Sequence, residues 1–341
     1  MSSTVMERLP ANSATRGTLS AGRRIITSPK YAPVLVTLGL FIAMFVSGGV
    51  RYDNFWSPQV LLNLFVDNAY LIVLAVGMTF VILTGGIDLS VGSVIALSAM
   101  ICAKLLEAGV PAAGVIAVTL IATSLLGLGM GLMIHVFKVQ PFIATLAGMF
   151  LARGLCYVIS EASISINDPF FVSMASTRIP LGGSASITIS VIIALLVVAV
   201  AFYVLHYSRF GRTVYALGGS EQSGTLMGLP VGRTKVLVYV VSGLCSGISG
   251  VLYSFYTLSG YSLTAVGTEL DAIAAVVIGG TLLTGGYGFV LGSALGVLVL
   301  GLIQTMISYE GTLSSWWTRI FIGGLLLVFI VLQKVLTRRR D

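Results

Sequence analysis

The chain has 341 residues, of which 57% are apolar and only 9% are Asp, Glu, Lys or Arg, against about 25% charged residues in an ordinary soluble domain. Side chains of this composition cannot cover a water-soluble globule, so most of the surface must face lipid. The net charge of +7 is typical of the basic cytoplasmic loops of membrane proteins, so no nucleic-acid partner is expected.

The hydrophobic runs predict an all-α polytopic membrane protein with about ten transmembrane helices. Residues 1–30 are rich in Ser, Thr and Arg and lack an apolar core, which predicts a disordered cytoplasmic tail. The transmembrane domain is expected over residues 31–336, and residues 337–341 form a short basic tail. The predicted spans are 32–50, 60–84, 91–107, 112–134, 141–160, 186–206, 234–257, 270–283, 287–308 and 318–335.

The basic residues predict the orientation of these spans. With ten crossings both ends lie on one side, and placing that side in the cytoplasm puts most of the Lys and Arg residues inside, as the positive-inside rule requires. Trp316 and Trp317 then fall at the outer aromatic belt. The three cysteines, Cys102, Cys156 and Cys245, occur singly in apolar stretches, so we interpret them as packing residues and expect no metal site.

Two spans share a motif and look too short to cross a bilayer. The apolar runs 69–83 and 272–283 would reach only about 22 Å and 18 Å as helices. Each ends in LTGG, at 83–86 and 283–286, and a Gly-Ser pair follows at the same offset. The register indicates an internal duplication, and helices interrupted by glycine in two halves are typical of a transport pathway. A parallel repeat and a re-entrant segment both remain open.

Ionisable residues within spans need a partner, water or a function. Asp88 follows two glycines and precedes a helix, so it caps that helix together with Ser90 or contacts a passing solute. Arg153 lies about 12 Å from the outer end of its span, level with Asp67 or Asp271. It forms a structural ion pair there or lines a pathway.

The cytoplasmic segment 207–235 is the longest inner polar stretch and retains apolar residues that a solvated loop does not need: Tyr215, Ala216, Leu217, Leu226, Met227 and Leu229. Docking to another protein at the membrane surface accounts for this pattern, and a solvated basic loop is the alternative. The chain has no phosphate-binding GxxxxGK[ST] loop, no GxSxG motif and no HExxH motif. No catalytic residue is therefore predicted.

Five ordered motifs, ILTGGIDLSVGS (82–93), ATLAGMFLARG (144–154), SRFGRTVYALGG (208–219), LMGL (226–229) and GTELDAIAAVVIGGTLLTGG (267–286), carry a family resemblance. From about residue 32 to 335 the chain resembles the ribose-type permeases, the membrane subunits of bacterial ABC importers for monosaccharides. ISINDP (164–169) and EGTLSSWWT (310–318) further resemble the permease of the galactofuranose importer. The tail 1–30 departs from the family pattern.

The resemblance implies an ABC importer permease fold in the bacterial inner membrane. It also implies three partners, namely a second permease, which is a different chain in the galactofuranose system, a cytoplasmic ATPase and a periplasmic sugar-binding protein. ATP and magnesium would bind to the ATPase, and this chain carries no cofactor. The implied ATPase-coupling residues are Arg209, Gly211, Arg212, Tyr215, Gly218, Gly219, Leu226, Met227 and Gly228.

A sugar pathway needs carboxylate, amide and hydroxyl groups beside an aromatic face. The available groups are Asp67, Asn68, Tyr70, Asp88, Ser90, Arg153 and Asp271. The sugar itself is expected to be galactofuranose, with ribose or another pentose or hexose as the alternative. An ion-coupled secondary carrier and a membrane-embedded interaction protein without transport activity are the rival hypotheses.

Overall fold

The computed structural model describes residues 32–182, 185–312, 314 and 316–338. The predicted tail 1–30 and residues 339–341 of the basic tail lie outside this part of the chain. The described helices are α1 (Ala32–Arg51), α2 (Pro58–Leu83), α3 (Val91–Glu107), α4 (Ala112–Val136), α5 (Pro141–Ile159), α6 (Pro169–Ser176), α7 (Ile189–Tyr207), α8 (Arg209–Gly219), α9 (Glu221–Leu226), α10 (Val231–Thr257), α11 (Thr268–Ile278), α12 (Val290–Glu310) and α13 (Trp316–Arg338).

The ten predicted spans each contain one of these helices, so the all-α polytopic fold is confirmed. Within the described residues, seven helices are long and apolar enough to cross a membrane, namely α1, α2, α4, α5, α7, α10 and α12. The prediction that the second span is too short is wrong. Helix α2 has 26 residues because it begins at Pro58, and the polar residues Asn63, Asp67 and Asn68 are part of it.

Helices α2 and α10 form the centre of the bundle. Nearly all of α2 after Val66 is buried, as is most of the C-terminal half of α10. Helices α5 and α7 instead expose Phe150, Val158 and Leu196. Glycines bring α4 and α10 close together. A Cβ built on Gly127 would collide with the Tyr239 carbonyl oxygen, and one on Gly243 with the Thr123 carbonyl oxygen. Small residues at such positions let membrane helices pack backbone to backbone.

The chain re-enters the bundle after the first LTGG motif. Residues 84–90 are non-helical, and α3 begins only at Val91. A Cβ on Gly148 would touch Ser90, and Gly148 lies about 10 Å along α5 from Pro141, where that helix begins. The N-terminus of α3 therefore lies inside the bundle and not, as the predicted span 91–107 had implied, at its end.

The eighth span is broken in a similar way, as the short run 272–283 predicts. After α10 the chain descends without helical structure through residues 261–267, since Gly260 lies beside Ala99 and the Ala265 carbonyl lies beside Gly92. Helix α11 then has only 11 residues, about 16 Å. The N-termini of α3 and α11 thus meet inside the membrane, where Glu269 of α11 packs against Gly92 of α3.

Short elements cover the end of the bundle that the predicted orientation places outside, which we call the outer face. Strand β1 (Ile164–Ser165) pairs with β4 (Ser259–Gly260), and β2 (Arg178–Gly182) pairs with β3 (Ala185–Thr188), both antiparallel. Asp168 caps α6 by accepting hydrogen bonds from the amides of Phe170 and Phe171. On the opposite face, α8 and α9 lie between α7 and α10.

Candidate transport pathway and coupling surface

Three cavities meet around Tyr70 in the outer half of the bundle. The first, of about 380 Å³, is lined by Asn68, Tyr70, Leu71, Asp271, Leu300, Gln304, Trp316, Thr318, Arg319 and Ile322. The second, of about 390 Å³, has Asp67, Asn68, Tyr70, Tyr253, Tyr256 and Gln304 among its walls. The third, of about 270 Å³, has Asp67, Tyr70, Arg178 and Tyr256 in its lining. We call this set the outer cavities.

Contacts within and between α2 and α10 hold the polar groups of the outer cavities in place. Tyr70 stacks edge to face on Tyr253 with ring centroids 5.1 Å apart, and its backbone carbonyl accepts a hydrogen bond of 2.6 Å from Ser249. Asn68 donates to the Leu64 carbonyl at 2.8 Å. These contacts fix an aromatic ring and an amide side by side between α2 and α10.

The carboxyl groups of Asp67 and Asp271 lie on opposite sides of Tyr70. Asp67 faces the Tyr256 hydroxyl and the guanidinium group of Arg178. Asp271 shares the first cavity with Arg319, and the two form no salt bridge within the described part of the chain. Both side chains therefore keep hydrogen-bonding capacity toward the cavity, and an uncharged solute rich in hydroxyl groups could use it.

Asp88 and Ser90 lie apart from the outer cavities. Asp88 is 1% exposed and accepts hydrogen bonds from the Ser90 amide at 2.9 Å, the Ser90 hydroxyl at 2.6 Å and the Ser242 hydroxyl at 2.7 Å. The capping interpretation holds only in part, because the Ser90 hydroxyl donates to Asp88 and bonds no amide of α3. The arrangement fastens the re-entering segment to α10 and leaves no open face for a solute.

Arg153 does not form the predicted ion pair. Its guanidinium group donates to the backbone carbonyls of Ser262 and Thr264, and none of the salt bridges among the described residues includes it. These carbonyls belong to the non-helical segment 261–267, which has few internal hydrogen bonds. Arg153 thus donates hydrogen bonds to carbonyls that would be paired within a helix, and it stabilises the non-helical path of the chain toward α11.

The predicted coupling residues 209–228 form two short helices, α8 and α9, at the end of the bundle that the predicted orientation places in the cytoplasm. Ser208 caps α8 by accepting from the Gly211 amide at 3.0 Å, and Ser220 caps α9 by accepting from the Ser223 amide at 3.2 Å. Glu221 pairs with Lys235 of α10 at 2.6 Å. Leu226 and Met227 are 83% and 67% exposed, so they remain available to another protein.

Tyr215 and Leu217 face this chain's own bundle, which corrects their assignment to a docking face, and Ala216 and Leu229 are half-buried. Val214 and Leu217 are buried, and the Tyr215 hydroxyl donates to the Gly288 carbonyl at 2.8 Å. Burial raises the pKa of Tyr215 to about 12, so the hydroxyl keeps its proton and remains a donor at neutral pH. Arg209, Arg212, Gly219 and Gly228 are exposed, whereas Gly211 is buried.

Gly218 lies where the two LTGG motifs meet. The Gly286 amide donates to the Leu83 carbonyl at 2.9 Å, which joins the second motif to the first. A Cβ on Gly218 would collide with both of these atoms, and one on Gly285 would touch the Gly85 amide. The two copies of the motif and the end of α8 therefore form one junction, which we call the LTGG junction.

The structure brings together four predicted pathway residues, Asp67, Asn68, Tyr70 and Asp271, and separates Asp88, Ser90 and Arg153 from them. Sequence reasoning missed Tyr253, Tyr256, Gln304 and Arg319. Gln304 is a polar residue within an apolar span, which was a usable signal. The three cysteines are buried and free, in agreement with a packing role.

Comparison with known proteins gives consistent results. Residues 60–330 match the family model described as branched-chain amino acid transport system / permease component. The chain is 45% identical over 306 residues to the inner membrane ABC transporter permease protein YjfF of Escherichia coli, covering 89% of this chain and 92% of that protein. It is 44% identical to the fructose import permease protein FruG of Bifidobacterium longum, covering 89% and 90%. The ribose import permease protein RbsC of Escherichia coli is 36% identical, with 92% and 97% covered. No solved structure matches the chain.

Proposed function

The chain belongs to the family of permease components described for branched-chain amino acid transport systems, and on that premise we propose that it is the membrane subunit of an ATP-driven importer for a monosaccharide. It is a transport component and not an enzyme. It is a multi-pass protein of the bacterial inner membrane, as its relatives and its apolar helices indicate. We further propose that both termini are cytoplasmic.

The outer cavities carry the proposal. They combine a tyrosine ring, two carboxyl groups and two side-chain amides in volumes of about 380 and 390 Å³, within the range of small-molecule sites. Planar polar side chains can bond adjacent sugar hydroxyls, and an aromatic face can pack on the apolar face of a sugar ring. Asp67, Asn68, Tyr70 and Asp271 are the proposed sugar-contacting residues, together with Gln304.

A sugar fits the interior better than an amino acid does. A transported amino acid brings a carboxylate, and helix N-termini inside the membrane are the usual partners for such a group. In this chain Asp88 precedes α3, and Glu269 packs at the contact between α3 and α11. Because carboxyl groups of this chain already lie at both helix N-termini, they would repel the carboxylate of an amino acid more than they would oppose an uncharged sugar.

The coupling surface supports dependence on a separate ATPase. Leu226, Met227 and Arg212 are exposed on a capped pair of helices whose other side packs against the bundle. A rigid projection of this kind can transmit a movement of a docked partner to the LTGG junction. We propose that an ABC ATPase binds here and supplies ATP and magnesium, that a periplasmic sugar-binding protein binds the outer face, and that a second, different permease completes the pathway.

We propose galactofuranose as the sugar, because the motifs 164–169 and 310–318 resemble the permease of that importer. Strand β1 lies within the first motif, and Trp316 of the second lines the first outer cavity. Ribose and fructose, which the names of RbsC and FruG specify for those proteins, are the alternatives.

Reconstitution tests the proposal. Proteoliposomes that contain this chain with its ATPase, partner permease and binding protein should accumulate labelled galactofuranose only when ATP is enclosed with the ATPase. A tenfold excess of unlabelled galactofuranose should compete, and the same excess of ribose or fructose should compete less. Uptake by this chain alone under an ion gradient would overturn the ATP-driven mechanism, and equal competition by ribose would overturn the choice of sugar.

A further inference from the structure

A second polar cavity lies at the cytoplasmic face, separate from the outer cavities and from the exposed coupling residues. Its volume is about 380 Å³, and its lining residues are Thr84, Gly85, Gly86, Ile134, Lys138, Val139, Gln140, Pro141, Glu221, Lys235 and Tyr239. The first LTGG motif, the α4–α5 loop, α9 and α10 each contribute one wall. We call it the inner cavity.

The inner cavity contains an unsatisfied donor. Tyr239 is only 2% exposed, and its hydroxyl has no hydrogen-bond partner within the described part of the chain. A Cβ on Gly86, which lines the same cavity, would touch that hydroxyl oxygen, so the hydroxyl reaches the cavity wall. Leaving a buried hydroxyl unpaired is costly, and an incoming acceptor would recover that cost.

The charged residues that line the cavity favour an anion, while the buried Asp88, which Ser90 and Ser242 hold, lies near the Tyr239 hydroxyl but outside the lining. Lys138 and Lys235 line the cavity, and Lys138 has no acidic partner among the described residues. Helix α5 begins at the same wall, at Pro141, and no side chain caps its N-terminus, which leaves the positive end of the helix dipole uncompensated. Glu221 is the one acidic residue of the lining, and it is paired with Lys235.

From these contacts we infer that the inner cavity binds a phosphate group, with Tyr239, Lys138 and Lys235 as its donors. The group enters either on a soluble phosphate monoester from the cytoplasm or on the head group of an anionic phospholipid, since the cavity opens at the membrane surface. Phosphate offers several strong acceptor oxygens for these donors. Bound phosphate would compete with Glu221 for Lys235 and so weaken the attachment of α9 to α10, next to the coupling surface.

Because Glu221 and phosphate compete for Lys235, removing the charge of Glu221 should change the phosphate affinity in the direction opposite to removing Lys235 or the Tyr239 hydroxyl. The purified chain in a phosphate-free maltoside detergent is titrated with inorganic phosphate at constant ionic strength. A thiol-reactive dye follows unfolding through Cys102, Cys156 and Cys245, which are buried in the folded state. A bound ligand raises the midpoint by an amount that reports its affinity.

Wild type should show a saturable rise of the midpoint. Lys235→Gln and Tyr239→Phe should each weaken the apparent affinity about tenfold, because each removes a donor to a charged ligand. Glu221→Gln should strengthen it severalfold by releasing Lys235. Arg233→Gln is the matched control, since Arg233 is an exposed cation two residues from Lys235 that does not line the cavity.

A parallel arm identifies the source of the phosphate group. Native mass spectrometry measures phosphatidylglycerol retained by each variant after lipid exchange. Lipid retention that depends on Lys235 and Tyr239, without a response to inorganic phosphate, supports the phospholipid source. A response to phosphate without retained lipid supports the soluble source. Absence of both in wild type, or equal values in all four variants, overturns the inference, and neither result bears on sugar transport.

Discussion

Gly218 provides the most direct test of the LTGG junction. Replacing it with alanine places a methyl group inside van der Waals contact of the Leu83 carbonyl oxygen and the Gly286 amide nitrogen. Both atoms are backbone, so no side chain can rotate away. Relief therefore requires α8 to move away from the junction by roughly 1 Å or more, since non-bonded heavy atoms settle at about 3.5–4 Å.

The expected cost follows from two opposing terms. Forcing a methyl group into a packed site costs about 1–3 kcal/mol, while replacing glycine by alanine in a helix returns about 0.5–1 kcal/mol. At the middle of both ranges the net loss is about 1 kcal/mol, which corresponds to a midpoint lower by about 1–2 °C for a chain of 341 residues. Displacement of α8 should also reduce sugar-stimulated ATP hydrolysis by about tenfold, a typical loss of coupling free energy.

Gly219→Ala is the matched control for packing. The residue is the next one in the same helix, and a Cβ there meets nothing within 4 Å. The midpoint of thermal unfolding of the Gly219→Ala variant in detergent should equal or exceed that of wild type. Equal midpoints for Gly218→Ala and Gly219→Ala would show that the junction is not closely packed. Normal sugar-stimulated hydrolysis by Gly218→Ala in the reconstituted importer would remove the junction from the coupling mechanism.

Three further predictions address the interior, the pathway and the topology. Ser242→Ala should destabilise the chain by about 1–3 kcal/mol in thermal unfolding, since it leaves an Asp88 oxygen buried without its donor. The control Ser246→Ala removes only a bond within α10 and should change stability by less than about 0.5 kcal/mol. Equal effects of the two variants would contradict the argument. Asp271→Asn should raise the sugar concentration for half-maximal uptake at least fivefold in reconstituted vesicles, as expected for the loss of a charged hydrogen-bond acceptor, and an unchanged value would exclude this carboxyl group from the pathway. Met227→Cys should react with a membrane-impermeant maleimide in inverted vesicles and not in intact cells, because Met227 is 67% exposed on the proposed cytoplasmic side, and labelling from outside would reverse the topology.

Hydrophobic length predicted the helices because each span is a single apolar run. The approach failed for α2, where the apolar run stops at Ala69 but the helix continues to Pro58. Asp67 and Asn68 stay helical because they face cavities and a neighbouring glycine, Gly301. A count of apolar residues cannot distinguish a polar residue that ends a helix from one that faces a polar cavity inside it.

The same limit affected the candidate site. The composition identified residue types that line the outer cavities, but the depth of a residue along its helix did not identify its hydrogen-bond partners. Arg153 lies at the expected depth, and its partners are the carbonyls of Ser262 and Thr264, which no side-chain pattern reveals. Similarly, the apolar residues of α8 were evident from the sequence, but only the fold shows that Leu217 faces the bundle and Leu226 faces outward.

Helix α11 links the two sides of the proposed pathway. Its first turn carries Asp271 into an outer cavity, and the loop after its last residue, Ile278, leads to Gly286 in the LTGG junction. The Gln333 side chain donates to the carbonyls of Val277 and Thr281, which holds the lower end of α11 to α13. Helix α11 packs backbone to backbone on α12, because a Cβ on Gly296 would collide with the Ala275 carbonyl oxygen and one on Gly292 with the Gly279 carbonyl oxygen. The two helices can therefore shift together, with the non-helical segments at the ends of α11 changing their dihedral angles. A movement of α8 at Gly218 would therefore reach the Asp271 carboxyl group through residues 279–286 and about 10 Å of helix between Ile278 and Asp271.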